Sequence, residues 1–564
     1  MPSDLRQRRL TLACLVAAFL VLGCFLAWVV LNHDYEAMYL GLGNLVVRGD
    51  VSLYEDGMTG HWVPLPFYVY GAAQALLGPS LWLGRLLSIM ISTGVLVLTF
   101  VVAGRWGGPV AGAVAGALFC THGLVMGYFV TVHFAPLVAI LHLLAIYVLF
   151  CREWAERDLI AMAIVSILFL VKPHYWPTIP FVLLFLLWRA RSARRRLALV
   201  GVAGAIPLLF FVWDPRHLKI LAYVPVVRAW VEPLGYHPWH ALVEDPAAVW
   251  VSDYAGIQWE TTGSGRVLEM GKAFAFLLKR YAVWMLALAV FGALGLVQAA
   301  RKRGSAQTWA PAGLRFTFAL FWYLVAWQFV IVGPYIKQSF AYVGAIAPLI
   351  AIVIGCAFAA AWSRLDLPAW CRLAVLAGLI LALVVSPWVH RSHSLPRTFT
   401  PTAAHIPVLR SMAHCLQAVI PADGRPVFLL GDPMPLYLAG RRGYLPQLHD
   451  HLMTFTSARD AAYYARDGLW GRSEVEQWLG TDARYAVIEP GAAEFYGNRK
   501  PYAEPMARIR SLLADRFTLV ETVRGGPQLV FQVYRRTDDG KASAPAGDGA
   551  ARGMEGRRCP NTSS

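Results

Sequence analysis

Asp34 and Glu36 stand two residues apart, directly after an apolar run, in a chain of which only 15% is charged. A carboxylate at a membrane boundary can serve as a general base, taking the proton from an attacking hydroxyl. The plainer reading is a solvated anchor at a helix end. Arg85, in Gly84-Arg85-Leu86-Leu87-Ser88, and Lys172, in Lys172-Pro173-His174-Tyr175-Trp176, are embedded in apolar surroundings. Cations so placed either snorkel toward headgroups or neutralise a phosphate that is becoming a leaving group. His133, in Thr131-Val132-His133-Phe134, can hydrogen-bond a substrate or a carboxylate, or cap the helix that follows. Lys337 and Tyr342 form a further polar patch whose plain reading is an interfacial anchor. His61 opens His61-Trp62-Val63-Pro64-Leu65-Pro66, where prolines at i and i+2 predict an extended elbow. His237 and His240 have a spacing that suits a metal, with no compact third ligand beside them.

The elements that must hold these residues are membrane spans. The chain is 57% hydrophobic with a mean hydropathy of +0.51, a balance foreign to soluble proteins. Runs of about 20 apolar residues predict spans near 10–31, 80–104, 108–129, 134–151, 159–173, 175–189, 197–213, 281–300, 314–333, 339–361 and 370–389. The segment 158–189 reads either as two short helices or as a re-entrant hairpin. With eleven spans, the basic clusters at Arg6/Arg8/Arg9, Arg105, Arg152/Arg157, Arg189–Arg196, Arg301–Arg303 and Arg364/Arg372 all fall on one side. The positive-inside rule makes that side the cytoplasm. The net charge of +16 is thereby explained by topology, without nucleic acid. The N-terminal apolar run is long for a signal peptide, lacks a small-residue cleavage site, and reads as a retained span.

This arrangement puts on the outer face a long first loop (32–79), the Lys172 turn, a second long loop (214–280) and everything after about residue 390. A loop as long and acidic as the first is generally functional or disordered, and its spaced aromatics favour structure. From residue 396 to 536 the polarity is that of a soluble domain. A helix is expected over 405–419, and strands over 426–430, 484–489, 517–523 and 529–534, from their β-branched and aromatic residues. The tail 537–564 is rich in Gly, Ala and Ser and reads as disordered. The expected fold is therefore an all-α polytopic membrane domain (1–395) followed by a small α/β extracytoplasmic domain. The cysteines show no disulfide framework and no CxxC pair, and there is no Walker loop or GxGxxG.

In order along the chain, Asp34-Tyr35-Glu36, Pro64-Leu65-Pro66-Phe67-Tyr68, Arg85-Leu86-Leu87-Ser88, Phe169-Leu170-Val171-Lys172-Pro173 and the segment 337–348 resemble the motifs of the GT-C superfamily of polytopic glycosyltransferases. The branch is similar to the bacterial protein-mannosyltransferase-like group, which includes lipid A aminoarabinose transferases and rhizobial galacturonosyltransferases. Two positions depart: His133 stands where many relatives have a second acidic residue, and Pro173 where glycine is common.

The resemblance implies a sugar donor on a polyprenyl phosphate and an acceptor hydroxyl on an envelope lipid, glycan or protein. It implies an inverting attack with Asp34 as base and Glu36 beside it. Lys172, Arg85 and Lys337 would meet the donor phosphate, and His61, His133 and Tyr342 would line the substrate. No cofactor is required on this reading; a divalent metal is compatible with it, its ligands unassigned. The implied setting is a bacterial inner membrane, N-terminus cytoplasmic and C-terminal domain periplasmic. The alternative is a transporter or flippase of lipid-linked sugars. Such proteins place their ionisable residues near the bilayer midplane and show repeated halves. This chain shows its charges in outer loops and no repeat.

Overall fold

A computed structural model describes residues 2–30, 34–51, 53, 63–213, 271, 274–275, 281, 284–286, 289–290, 293, 311–332, 336–363, 405–444, 472–498, 500–525 and 529–537. The expected span at 370–389, most of that at 281–300, His61, His237, His240 and the tail beyond 537 lie outside these. The chain divides into two compact units. One is Met1–Val30, Arg85–Pro215 and Ala255–Pro401; the other is Leu31–Gly84, Arg216–Tyr254 and Thr402–Ser564. The first long loop thus groups with the C-terminal part of the chain.

The first unit is helical. α1 (Pro2–Val29) leads, and α5 (Leu81–Thr121) breaks at Gly108, whose φ of 82° is left-handed, just before Pro109. That break separates the two spans expected there, since glycine tolerates positive φ and proline cannot continue the hydrogen-bond ladder. α6 (Gly123–Val130) and α7 (Ala135–Cys151) follow. The segment 158–189 is two helices, α8 (Arg157–Ile167) and α9 (Thr178–Arg189), joined by two 3₁₀ turns. α10 (Ala193–Trp213), α11 (Ala312–Val332) and α12 (Ile336–Trp362) complete the described helices of this unit.

Among the described residues four helices are long and apolar enough to cross a membrane: Arg6–Val29, Leu81–Thr121, Ala193–Trp213 and Tyr342–Trp362. They differ in what they face. The apolar window of α12 is 89% buried, against 17% for α10, so α12 is the core of its unit and α10 turns apolar surface outward. Small residues let α12 approach its neighbour: a Cβ on Gly355 would stand 2.5 Å from the Ala111 carbonyl oxygen.

The second unit holds two subassemblies. The first loop contains α2 (Asp34–Ala37), a π-helical turn (Met38–Leu42), α3 (Gly43–Arg48) and α4 (Leu65–Leu77). The expected extended elbow at Pro64 and Pro66 is instead the start of α4. Pro64 has helical angles (φ −74°, ψ −31°), and proline in a first turn gives up only an N–H that would be unsatisfied anyway. α3 and α4 touch backbone to backbone: a Cβ on Gly71 would lie 2.2 Å from the Gly43 carbonyl oxygen.

The C-terminal part is an α/β domain. α13 (His405–Val419) covers a four-stranded sheet of β1 (Phe428–Leu430), β2 (Tyr485–Ile488), β3 (Phe517–Arg524) and β4 (Val530–Arg536), in the order β1-β2-β4-β3. β1 and β2 are parallel, in register Leu429↔Val487, and β4 is antiparallel to both its neighbours. Met412 and Leu416 of α13 pack on Leu429, Val487, Phe531 and Val533. The buried Arg536 guanidinium donates to the carbonyls of Gly480, Ala483, Trp478 and Leu479, closing the turn before β2. Cys415, on α13, is disulfide-bonded, a bond the cysteine spacing does not announce.

Candidate functional site

The candidate residues divide between the two units. In the first unit Lys172, His133 and Tyr342 gather around the turn between α8 and α9. Lys172 precedes Pro173, which drives it out of helical geometry (φ −166°, ψ 129°) and ends the helical path. Its side chain is 4% exposed, with Nζ 5.2 Å from the Phe134 ring centroid. A buried ammonium facing a ring is stabilised by the ring's quadrupole. The Phe134 ring stacks with Tyr342 at 5.6 Å, and Tyr342 with His174 at 4.1 Å.

Backbone bonds pin this cluster. The Tyr175 hydroxyl donates to the Tyr342 carbonyl at 2.7 Å, and Gln328 Nε2 donates to the His174 carbonyl at 3.1 Å. Trp176 Nε1 donates to the Phe169 carbonyl at 3.0 Å, and the two rings stack at 4.1 Å. Behind the turn, His142 bridges the Val138 carbonyl (2.8 Å) and the Thr178 hydroxyl (3.0 Å), tying α7 to α9. Lys172 is therefore held on a framework of a turn and four helices, α7, α9, α11 and α12.

His133 is fully buried beside this cluster, its ring 4.0 Å from that of Phe134. Its Nδ1 accepts from the Ala135 amide at 3.2 Å, which is the capping geometry anticipated as one of its readings. Tyr342, expected to line the substrate on the resemblance and to be an interfacial anchor on the plainer reading, is 4% exposed and built into the stack. Lys337 lies on α12, with its side chain outside the described residues.

Arg85 is fully buried near the start of α5. Its Nη1 donates to the carbonyls of Ala27 at 2.5 Å and Val30 at 3.0 Å, at the end of α1. The last carbonyls of a helix have no partner within it, and the helix dipole favours a cation there. This interaction accounts for an arginine so deep in an apolar element.

In the second unit, Asp34 opens α2, with its side chain outside the described residues. Glu36 is fully buried, so the solvated-anchor reading does not hold for it. The helix carrying both acids runs directly into the π-helical turn, whose five residues are all buried. π-turns recur at functional sites because they displace side chains from regular helical register. Tyr39, inside that turn, packs edge-on to Phe67 at 5.1 Å and stacks with Tyr70 at 6.1 Å. The π-helical turn that continues the acidic helix thus packs on α4.

Three participants escape a reading of the sequence. Phe134, His174 and Tyr175 complete the surroundings of Lys172 and Tyr342. The signal was present for two of them: Lys172-Pro173-His174-Tyr175-Trp176 is a polar and aromatic run inside apolar sequence. Among the described residues no group of three His, Cys, Asp or Glu converges as metal ligands would.

No family model matches the sequence, and no curated protein matches it. Solved structures do. ArnT from Cupriavidus metallidurans bound to undecaprenyl phosphate aligns with a TM-score of 0.53 at 14% identity, over 93% of this chain and 97% of that one. The apo form of the same protein aligns at 0.50, also at 14% identity, over 92% and 97%. An oligosaccharyltransferase from Archaeoglobus fulgidus aligns at 0.48 and 12% identity, over 93% of this chain and 74% of that chain. At such identity the likeness is one of fold alone, and it extends over nearly the whole length of this chain and of ArnT.

Proposed function

We propose that this chain is a membrane glycosyltransferase that moves a sugar from a polyprenyl-phosphate donor to a hydroxyl of an envelope lipid, glycan or protein. The observation that carries the reading is the likeness of fold, nearly end to end, to a protein solved with undecaprenyl phosphate. Lys172 adds to it: a buried ammonium on a rigid aromatic base, of the kind that can meet a phosphate dianion.

The chemistry follows from the residue types. The acceptor oxygen attacks the anomeric carbon while the bond from that carbon to the phosphate oxygen breaks. The acceptor proton passes to the carboxylate of Asp34, with Glu36 beside it on α2. The electron pair leaves with the polyprenyl phosphate, whose added charge Lys172 meets. Direct displacement inverts the anomeric configuration. Cationic side chains suffice for this leaving group, and a divalent ion has no assigned ligand. The setting is an inner membrane, with the C-terminal domain in the periplasm; a disulfide at Cys415 suits that oxidising side.

The test is release of polyprenyl phosphate from a panel of labelled lipid-linked sugars by the purified protein. Turnover by the wild type, lost by roughly 10²-fold or more in Asp34→Asn and weakened in Lys172→Ala with both variants folded, supports the reading. Turnover unaffected by Asp34→Asn moves the base to Glu36. Binding of polyprenyl phosphate without consumption of any donor favours a lipid-sugar transporter.

A further inference from the structure

The first loop and the C-terminal domain meet at Tyr437. α14 (Met434–Leu438) packs against α2 (Asp34–Ala37), although about 400 positions of sequence separate them. The Tyr437 ring lies against Gly41 of the π-helical turn, where a Cβ would stand 3.4 Å from Tyr437 Cδ2. Its hydroxyl donates to Gln74 Oε1 on α4 at 3.1 Å, and the Asn44 side chain of α3 hydrogen-bonds the same hydroxyl. Gln74, fully buried, also accepts the Ser80 amide at 2.6 Å. Tyr437 therefore touches the π-turn, α3 and α4 at once.

The other side of α14 is fixed to the domain. Leu436 and Ala439 belong to the core under the sheet, beside Leu429 and Val487. The Asp432 carboxylate caps the helix by accepting the Met434 amide at 2.9 Å, and Arg441 Nε donates to the Ile420 carbonyl at 2.7 Å. Neighbouring positions of one short helix thus face opposite ways, Leu436 into the sheet's core and Tyr437 onto the acidic loop. Burial pushes the Tyr437 hydroxyl's pKa above the ordinary tyrosine range, against the opposing pull of Arg48 and Asn44. The group stays protonated at neutral pH and remains a donor to Gln74.

We infer that the C-terminal domain is a clamp that fixes the Asp34–Ala37 helix for catalysis, with Tyr437 as the positioning residue. The catalytic half of this statement rests on the transferase reading above; the mechanical half does not. Misplacing a reacting group by about 1 Å can cost on the order of 10²-fold in rate. A residue that only orients the base affects the chemical step and leaves donor binding alone.

The experiment compares wild type, Tyr437→Phe, Tyr437→Ala and Gly41→Val in full-length protein. It uses amide hydrogen exchange, polyprenyl-phosphate binding and donor turnover. In Tyr437→Ala, exchange over 34–48 should rise about tenfold or more while β2 (Tyr485–Ile488) and α7 (Ala135–Cys151) stay protected. kcat should fall about tenfold or more, with KM for the donor and polyprenyl-phosphate binding within about twofold. Tyr437→Phe, which keeps the ring contact, should recover most of the rate. If Tyr437→Ala also exposes β2, Gly41→Val decides, because it displaces the ring from the loop side and leaves the domain core untouched.

Unchanged exchange over 34–48 in both Tyr437→Ala and Gly41→Val overturns the clamp. Loosened exchange with unchanged kcat overturns its catalytic role. If the wild type consumes no donor, the transferase reading falls, and the exchange measurement alone decides whether the domain holds the loop.

Discussion

The hydroxyl of Tyr175 donates to the main-chain carbonyl of Tyr342 at 2.7 Å, across 167 positions of sequence. The bond joins the Lys172 turn to α12, the most buried of the four described helices long enough to cross a membrane. Tyr175→Phe keeps the ring and removes the donor, leaving a buried carbonyl short of one partner. We expect a loss of about 1–3 kcal/mol in stability, seen as a lower thermal midpoint. Turnover should fall as well, because the turn that carries Lys172 is released.

Gly71 and Gly43 permit α4 and α3 to touch through their backbones. Gly71→Ala puts a methyl carbon where the Gly43 carbonyl already stands, and neither atom belongs to a flexible side chain. Overpacking of this kind costs about 1–3 kcal/mol, occasionally more. The helices should separate, the π-helical turn should lose its packing on α4, and hydrogen exchange over 34–48 should rise. Gly78→Ala makes the contrast: open space surrounds that site, so its cost of about 1–3 kcal/mol is backbone strain at φ 88° and ψ 165°, and exchange over 34–48 should not change.

Arg536 fills a cradle of four carbonyls and lies 5.0 Å above the Phe517 ring. Arg536→Met keeps much of the volume and removes every donor. Each carbonyl left buried without a partner costs about 1–3 kcal/mol, reduced where water enters. The exchange of β2 and β4 amides should accelerate while that of α7 does not.

Chelation separates the two forms the transferase chemistry can take. With Lys172 meeting the phosphate, EDTA should leave turnover of the purified enzyme unchanged. Activity abolished by EDTA and restored by a divalent ion would show that a metal, and not Lys172 alone, meets the phosphate.

Much of the architecture is legible in sequence because the signals are periodic and local. The helix at 405–419 and the strands centred on Val487, Leu519 and Val533 follow from alternation and β-branching, and they appear within a residue or two of the expected limits. The paired helices flanking Lys172 follow from basic flanks around two short apolar runs. The errors have physical causes. Pro64 and Pro66 suggest an extended path, yet the first turn of a helix is where proline does least harm. Glu36 looks solvated in a linear reading because burial of one charge depends on what covers it. The disulfide at Cys415 leaves no trace in the spacing of the cysteines. Tyr437 carries no signal at all: it is one tyrosine in a short apolar run, Met434-Pro435-Leu436-Tyr437-Leu438-Ala439, and its role arises only when Gly41 and Gln74 are brought beside it.

The meeting of Tyr437 with Gly41 also fixes an order of events during synthesis. The first loop leaves the ribosome about 350 residues before the helix that completes its packing. At roughly 5–20 residues per second, that is an interval on the order of 20–70 s. Through it the loop is a half-built assembly, its Gly41 face waiting for a ring not yet made. On the clamp inferred above, the segment 34–48 completes its packing only when the chain is nearly finished, so an aborted or C-terminally truncated product carries an unclamped loop. The last-made domain thereby acts as a check on completeness for the first-made part of the site.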